Sequence, residues 1–211
     1  MKSYYTQDKI ASSLQKFFSN FSISKPHIKN LSFIITGMVS AESVVTSDFS
    51  RKLKDDFSSV FLESIERRFR RFFASFSSVA YSFFENFITH IISKFTAKHA
   101  DKKIHIAFDH MYCKKKFAII LFSLRIGKQG IPIWFRCFKY SSLSDAYSSS
   151  LIKSGISFCA NLFNPENYHI IFLADRWFSN VELLQHIEDL NCFYCIRSKS
   201  YFTYSYYSKH R

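Results

Sequence analysis

Near Asp101 the hydrophobic period of this chain changes from one apolar residue in every three or four to short apolar runs of strand length. That change constrains the fold more than any other feature, because a pattern with helical spacing does not sit still as a strand, nor the reverse. The chain must therefore join a helical region, residues 1–100, to a sheet-containing region, residues 101–211. From His27 to about Phe95 the spacing is helical: Ile28, Leu31, Ile35 and Met38 share a face, Ser47 is placed to cap a short helix ending at Leu53, and KDDFS reads as a turn. VFLESIERRFRRFF then sets Phe61, Ile65, Phe69, Phe72 and Phe73 on one face and Arg67, Arg68, Arg70 and Arg71 largely elsewhere, as a helix-turn-helix-like unit would. Val79, Phe83, Phe87, Ile91 and Phe95 predict one amphipathic helix over 76–98, with packing as its role.

Past the change of period, KKIHIAFD, KFAIILFSLRI and IPIWFRCFKY have strand length, and IGKQGI makes a Gly-flanked hairpin turn between the second and third. Tyr147, Leu151, Gly155, Phe158 and Leu162 return to helical spacing until Asn164 and Pro165 stop it. YHIIFLAD is an unbroken apolar run, the mark of a parallel strand covered on both faces. Ser179 and Glu182 form a capping box for a helix carrying Val181, Leu184, Ile187 and Leu190, and CFYCIR follows as another buried strand. SKSYFTYSYYSKHR reads as the start of a further strand on a chain cut short. An antiparallel hairpin followed by parallel crossovers is the element order of a ribonuclease-H-like domain. The expected fold is thus α/β, a ribonuclease-H-like mixed sheet incomplete at its C-terminus and preceded by an all-helical DNA-binding region.

Lys and Arg total 29 against 16 Asp and Glu, a formal charge of +13 that favours association with polyanions, nucleic acid first among them. MKSYYTQDKI lacks the apolar segment of a signal peptide, and no apolar run approaches the roughly 20 residues that span a bilayer, so a cytoplasmic location is expected and no membrane partner. Cys113, Cys137, Cys159, Cys192 and Cys195 are odd in number and scattered, which argues against a disulfide framework and for reduced core thiols. Cys192 and Cys195 form a C-x-x-C with no second ligand pair at zinc spacing. The 26 Phe fall mostly at core periodicity, so packing accounts for them better than base stacking.

Asp109 ends the run IHIAFD and Asp175 ends HIIFLAD, which places two carboxylates at the edges of neighbouring strands, 66 residues apart (175 − 109). Paired carboxylates at the carboxyl ends of parallel strands suit hard divalent cations and phosphodiester chemistry. A single Asp after a strand more commonly caps a turn. Arg176 would bind a phosphate or pair with a carboxylate, and Lys128 with Gln129 at the hairpin tip would touch DNA or stand as exposed turn residues. The arginines 67, 68, 70 and 71 would bind phosphates or form the solvated face of a core helix. His110 beside Asp109 is not needed as a base by a two-metal nuclease. Asp145 and Glu166 are the spare acids between the two aspartates, each near a helix end.

Residues 104–197 resemble the catalytic core of insertion-sequence transposases of the DDE type, in particular insertion sequence family four and its relatives. The resemblance rests on Asp109 closing the first strand, on Asp175 in ADRWF, close to the family's Asp-Arg-Gly-Phe, and on the fifth strand ending in IRSKS. The segment from Leu31 to Phe73 is similar to the helical DNA-binding region of these enzymes. The family implies that Asp109 and Asp175, with a later glutamate, hold two Mg²⁺ ions, Mn²⁺ substituting, for hydrolysis at transposon ends and strand transfer into target DNA. It also implies a homodimer on DNA and a bacterial, nucleoid-associated setting. Trp177 stands where the family has glycine, and the glutamate-bearing helix has no counterpart here: Glu182 and Glu188 follow Asp175 too closely. The resemblance is therefore to a transposase truncated before its third acid, and a catalytically inactive DNA-binding remnant is the alternative; another ribonuclease-H-like nuclease would need Asp145 or Glu166 to complete the site.

Overall fold

The computed structural model describes residues 7–56, 61–96, 102–113, 116–139 and 149–197. Among them are seven α-helices and one five-stranded mixed sheet. The expected boundary at residue 100/101, the Asp145 alternative and the strand expected beyond residue 198 lie outside the described residues. Two compact units part between Phe87 and Ile88.

The first unit begins with α1 (Gln7–Phe18), which the helical reading from His27 onward missed. Phe17, Phe18 and Phe21 meet Phe83 and Phe87 at ring separations of 5.7–6.0 Å, edge-on or tilted. Phe is thus used as packing matter, a geometry favoured by the ring quadrupoles. Next comes α2 (Lys25–Ala41), whose N-cap Ser24 accepts from the His27 amide and whose Pro26 lies in the first turn, where its missing N–H costs nothing. α3 (Thr46–Asp56) and α4 (Leu62–Phe76) follow, and Ile34, Phe49, Leu53, Ile65, Phe69 and Phe72 from these three helices close one core.

The helical faces differ in detail from those expected. Along α2 the buried residues are Ser32, Ile34, Thr36 and Gly37, not the half-buried Ile28, Leu31, Ile35 and Met38, because small residues let α3 approach closely. A Cβ at Gly37 would stand 2.7 Å from Leu53 Cδ1 and 3.3 Å from the Phe49 carbonyl oxygen. Ser47 lies inside α3 rather than capping it, and Lys54 to Asp56 of the expected turn are helical. On α4, Ile65, Phe69 and Phe72 are buried as expected, while Phe61 and Phe73 are 80% and 44% exposed. A turn over residues 77–79 separates α4 from α5 (Ala80–Thr96), so the helix expected from residue 76 starts later. Its buried residues are Ile88 and Ile92, one step round from the predicted stripe.

In the second unit β1 (Lys103–Cys113), β2 (Phe117–Ile126) and β3 (Gln129–Lys139) form the antiparallel meander that the strand-length runs predict. Gly127, at φ +59, and Lys128 make the two-residue β2–β3 turn, and a positive φ at the first turn residue alone is the type II′ pattern that glycine supplies. Pro132 is tolerated because β3 is an edge strand, and the register shift beside it adds one residue, which turns both Ile133 and Trp134 inward. After α6 (Ser149–Phe163) the chain returns as β4 (His169–Ala174), parallel to β1; a 3₁₀ turn (Arg176–Phe178) and α7 (Val181–Asp189) lead to β5 (Phe193–Ile196), parallel to β4. The sheet order is β3-β2-β1-β4-β5.

α6 packs on β3 and on α7, and α7 on β5. The approach of α6 to the sheet depends on Gly155: a Cβ there would lie 2.5 Å from Phe122 Cε2 and 3.0 Å from Trp134 Cε3. Phe108 stacks on Phe122 at 4.9 Å, and Trp134 meets Phe122 edge-on at 5.3 Å. Four expectations change. α6 buries Ile152, Gly155, Ile156, Cys159, Ala160 and Phe163, leaving Leu151, Phe158 and Leu162 half-buried. The N-cap of α7 is Asn180, whose side chain accepts from the Glu182 amide, so Ser179 and Glu182 form no capping box. α7 buries Leu183 and Ile187, while Val181 is exposed. β5 is not buried: Phe193 is 55% exposed, since among the described residues β5 is an edge strand. No single helix among the described residues is long and apolar enough to cross a membrane.

Candidate functional site

β1 and β4 run parallel with Lys103 opposite His169 and Ala107 opposite Leu173, an offset of 66 (169 − 103). Asp109 and Asp175 differ by the same 66: Asp109 stands on β1 two residues past the last step paired with β4, and Asp175 is the residue that directly follows β4. Ile104, Ile106 and Phe108 of β1 and Ile170 and Phe172 of β4 are buried, alternation turns Ala107 and Asp109 to the exposed side of β1, and Asp175, just past β4, is exposed as well.

Asp109 does not close its strand as expected. It lies inside β1, opposite Leu121, because the hairpin with β2 continues after β4 has ended. An exposed mid-strand Asp is disfavoured by β propensity and caps no turn. Its carboxylate, 72% exposed, accepts the His110 amide at 2.7 Å, and the His110 ring lies 3.8 Å away. Asp175 precedes the 3₁₀ turn in extended conformation, yet its side chain makes no capping bond; only its carbonyl accepts from Phe178. Neither aspartate therefore serves as the cap that an Asp after a strand commonly provides.

Arg176 is exposed and its side chain has no hydrogen bond or ion pair among the described residues, so it does not pair with Asp175. Trp177, where glycine was expected, fits by turning outward: it is 62% exposed and its ring lies 6.0 Å from His110, which Tyr112 and Phe178 also border. Lys128 is free and exposed but sits at the other end of β2, roughly 17 Å along the strand from Leu121 at about 3.4 Å per residue. The sheet thus brings Asp109, Asp175 and Arg176 to one rim and sets Lys128 apart.

Among the described residues no three His, Cys, Asp or Glu side chains stand where they could hold a metal together. Glu182 accepts from Ser149 Oγ at 3.2 Å and pairs with Lys153 at 3.5 Å; Glu188 accepts from Tyr194 Oη at 3.1 Å. Glu166 follows Asn164, whose side chain accepts the Glu166 amide in the turn after α6. The cysteines divide. Cys159 and Cys192 are buried, while Cys137 and Cys195 are exposed rather than core thiols. Burial pushes the Cys159 thiol well above its ordinary pKa, with Cys192 adding to the shift, and burial raises Cys192 to about 11, so both are inert neutral thiols.

In the first unit all four arginines of α4 are exposed but not alike. Arg68 donates to Asn30 Oδ1 at 2.6 Å and lies over the Phe33 ring at 5.5 Å; Arg70 pairs with Glu66 at 3.6 Å. Arg67 and Arg71, one helical turn apart, have no partner among the described residues and line an open groove of about 680 Å³ with His27 and Asn30 of α2. Three further basic residues, Arg51, Lys52 and Lys54, are exposed on α3. Their signal in the sequence is the RKLK run, which the denser charge of the arginine-rich helix overshadows. Compared with known proteins, the chain matches no protein-family model and no curated protein.

Proposed function

We propose that this chain belongs to the DDE transposase type: a DNA-binding helical unit joined to a ribonuclease-H-like sheet whose Asp109 and Asp175 ligate divalent metal for phosphodiester hydrolysis and strand transfer at transposon ends. The shared 66-residue offset supports the reading, since both aspartates are exposed near the end of the β1–β4 pairing and no structural duty explains both. The sheet order and the sequence of antiparallel hairpin and parallel crossovers support it. The donor set fits Mg²⁺ or Mn²⁺, because Mg²⁺ takes oxygen ligands, keeps several waters and is commonly held by one or two carboxylates. Bound there, such ions lower the pKa of a nucleophilic water or 3′-hydroxyl and neutralise the leaving oxygen. The chain's own part is to hold Asp109 through the His110 amide and to offer Arg176, unpaired, to a phosphate. A homodimer acting on nucleoid DNA in the cytoplasm completes the reading, with the +13 charge supplying much of the affinity.

A second reading, a DNA-binding remnant that no longer cuts, is favoured by the absence of a three-residue ligand group among the described residues and by the other engagements of Glu182 and Glu188. Titration calorimetry with Mn²⁺ tests the site itself: wild type should bind, and Asp109→Asn and Asp175→Asn should each abolish the heat. Equal heats in all three would remove the aspartates from the proposal. Plasmid nicking in Mg²⁺ separates the two readings, since binding of metal and DNA without nicking leaves the remnant. DNA affinity that survives EDTA and falls steeply with salt is expected of both.

A further inference from the structure

Resting on the DNA-binding reading above, we infer that α3 is the base-reading helix, entering the major groove of duplex DNA with Arg51 and Lys52 as its specificity-determining residues, and that Arg67 and Arg71 of α4 hold phosphates. The inference moves recognition away from the arginine-rich helix that the charge pattern favours, and geometry is the reason.

α2 and α3 meet at 94° across a four-residue connection, residues 42–45. A helix-turn-helix joins its two helices at about 90–120° through three or four residues and places the second in the major groove. The turn is built to hold that angle. Glu42 adopts a left-handed conformation (φ 51), and the amides of Glu42 and Ser43 return to the carbonyls of Val39 and Met38, the pattern of a Schellman close. Ser43 Oγ then accepts from the Val45 amide at 3.1 Å and donates to Asp48 at 2.9 Å, tying the turn to the first turn of α3. The crossing is close because Gly37 leaves room for Leu53 and the Phe49 backbone.

α3 is polarised accordingly. Phe49, Ser50 and Leu53 are at most 1% exposed, whereas Arg51 and Lys52 are exposed and have no partner among the described residues. Asp48, the acid nearest them at the start of the helix, is occupied by Ser43. Eleven residues make a rod about 16 Å long and, with its side chains, about 10–12 Å across, which the roughly 12 Å width of the major groove admits. α4 differs: Arg68 and Arg70 are tied within the protein, which leaves Arg67 and Arg71 as a pair of point charges along an open groove. Such a pair suits successive phosphates, which position a protein but carry no sequence information.

Selection from a random-sequence duplex library tests the assignment on the full chain. Wild type should enrich a consensus. R51A/K52A should still bind random duplex but lose the discrimination between consensus and random sequence, by about tenfold or more. R51K/K52R, which keeps the charge, should shift or degrade the consensus, because a guanidinium and an ammonium read base edges differently. R67A/R71A should enrich the wild-type consensus with lower affinity and a salt slope shallower by about 0.9 for each phosphate that the protein no longer neutralises. The assignment is overturned if R51A/K52A enriches the wild-type consensus, if R67A/R71A is the variant that loses it, or if wild type binds duplex DNA and enriches nothing. No binding of duplex DNA by wild type overturns the proposed function along with it.

Discussion

The helical unit and the sheet unit meet a phosphate in opposite ways. The first offers cations on helix faces, each on a long side chain whose neighbours decide whether it is free: Arg68 and Arg70 are paired with neighbouring side chains at the surface, Arg67 and Arg71 are not. The second offers two short acids, one on β1 and one directly after β4, with an offset of 66 on both the paired residues and the aspartates. A field of charge gives affinity and tolerates variation in position, whereas a metal-ligating pair has to be placed. The difference teaches where precision resides: in the backbone pairing of the sheet, and in the side-chain partners of the helices.

The strongest way to break this contrast is to show that the units are energetically one. Phe69 is fully buried, 5.3 Å from Phe49, and Phe69→Ala should cost the helical core about 3–5 kcal/mol. Both tryptophans, Trp134 and Trp177, lie in the sheet unit, so their fluorescence reports that unit alone, while far-ultraviolet circular dichroism reports the helices as well. Denaturation of Phe69→Ala is expected to move the dichroism midpoint and leave the fluorescence midpoint where it was. Coincident shifts of both would mean that the division at Phe87 and Ile88 is geometric only.

What the sequence made legible follows the same contrast. The five strands could be read because each is an apolar run of strand length bounded by a turn or by a change of period, and the Gly-flanked IGKQGI marks the hairpin between the second and third. Apart from α1 the helices could be read, but outside α4 their buried faces largely could not. Each residue turns a helix by about 100°, so Ile88 and Ile92 are buried where Phe87 and Ile91 were expected, and Ile156 where Phe158 was. Close approach at Gly37 and Gly155 chooses the face, and of the two only Gly155 lies on the expected stripe, since Gly37 carries no hydrophobic signal to announce it. The extension of β1 past Asp109 is hidden in another way, because Asp109 and His110 interrupt the apolar run before Met111 and Tyr112.

Gly155 gives the next test, smaller in effect and confined to the sheet unit. Gly155→Val would press new carbon against Phe122 and Trp134, rings that are themselves fully buried, and overpacking of this kind costs about 1–3 kcal/mol. Fluorescence-detected unfolding should show the loss directly, with a shifted emission from Trp134. An unchanged midpoint would mean that α6 rides further from the sheet than the short distances at Gly155 imply.

The smallest effect separates the two ways of reading the start of α7. A capping box would make Ser179 the cap, reaching the Glu182 amide, whereas the structure gives that amide to Asn180 at 2.9 Å and sends the Glu182 carboxylate to Ser149 and Lys153. Removing a true cap costs about 1 kcal/mol, and removing a bystander costs close to nothing. Asn180→Ala should therefore lower the fluorescence-detected stability by about that amount, with Ser179→Ala indistinguishable from wild type. The consequence reaches the site, because Asn180 fixes where α7 begins and so fixes the short turn that carries Asp175, Arg176 and Trp177 off the end of β4. If Ser179→Ala proved the costlier change, α7 would start one residue earlier and the turn would tighten. The extended conformation of Asp175 directly after β4 would then be the first feature to go.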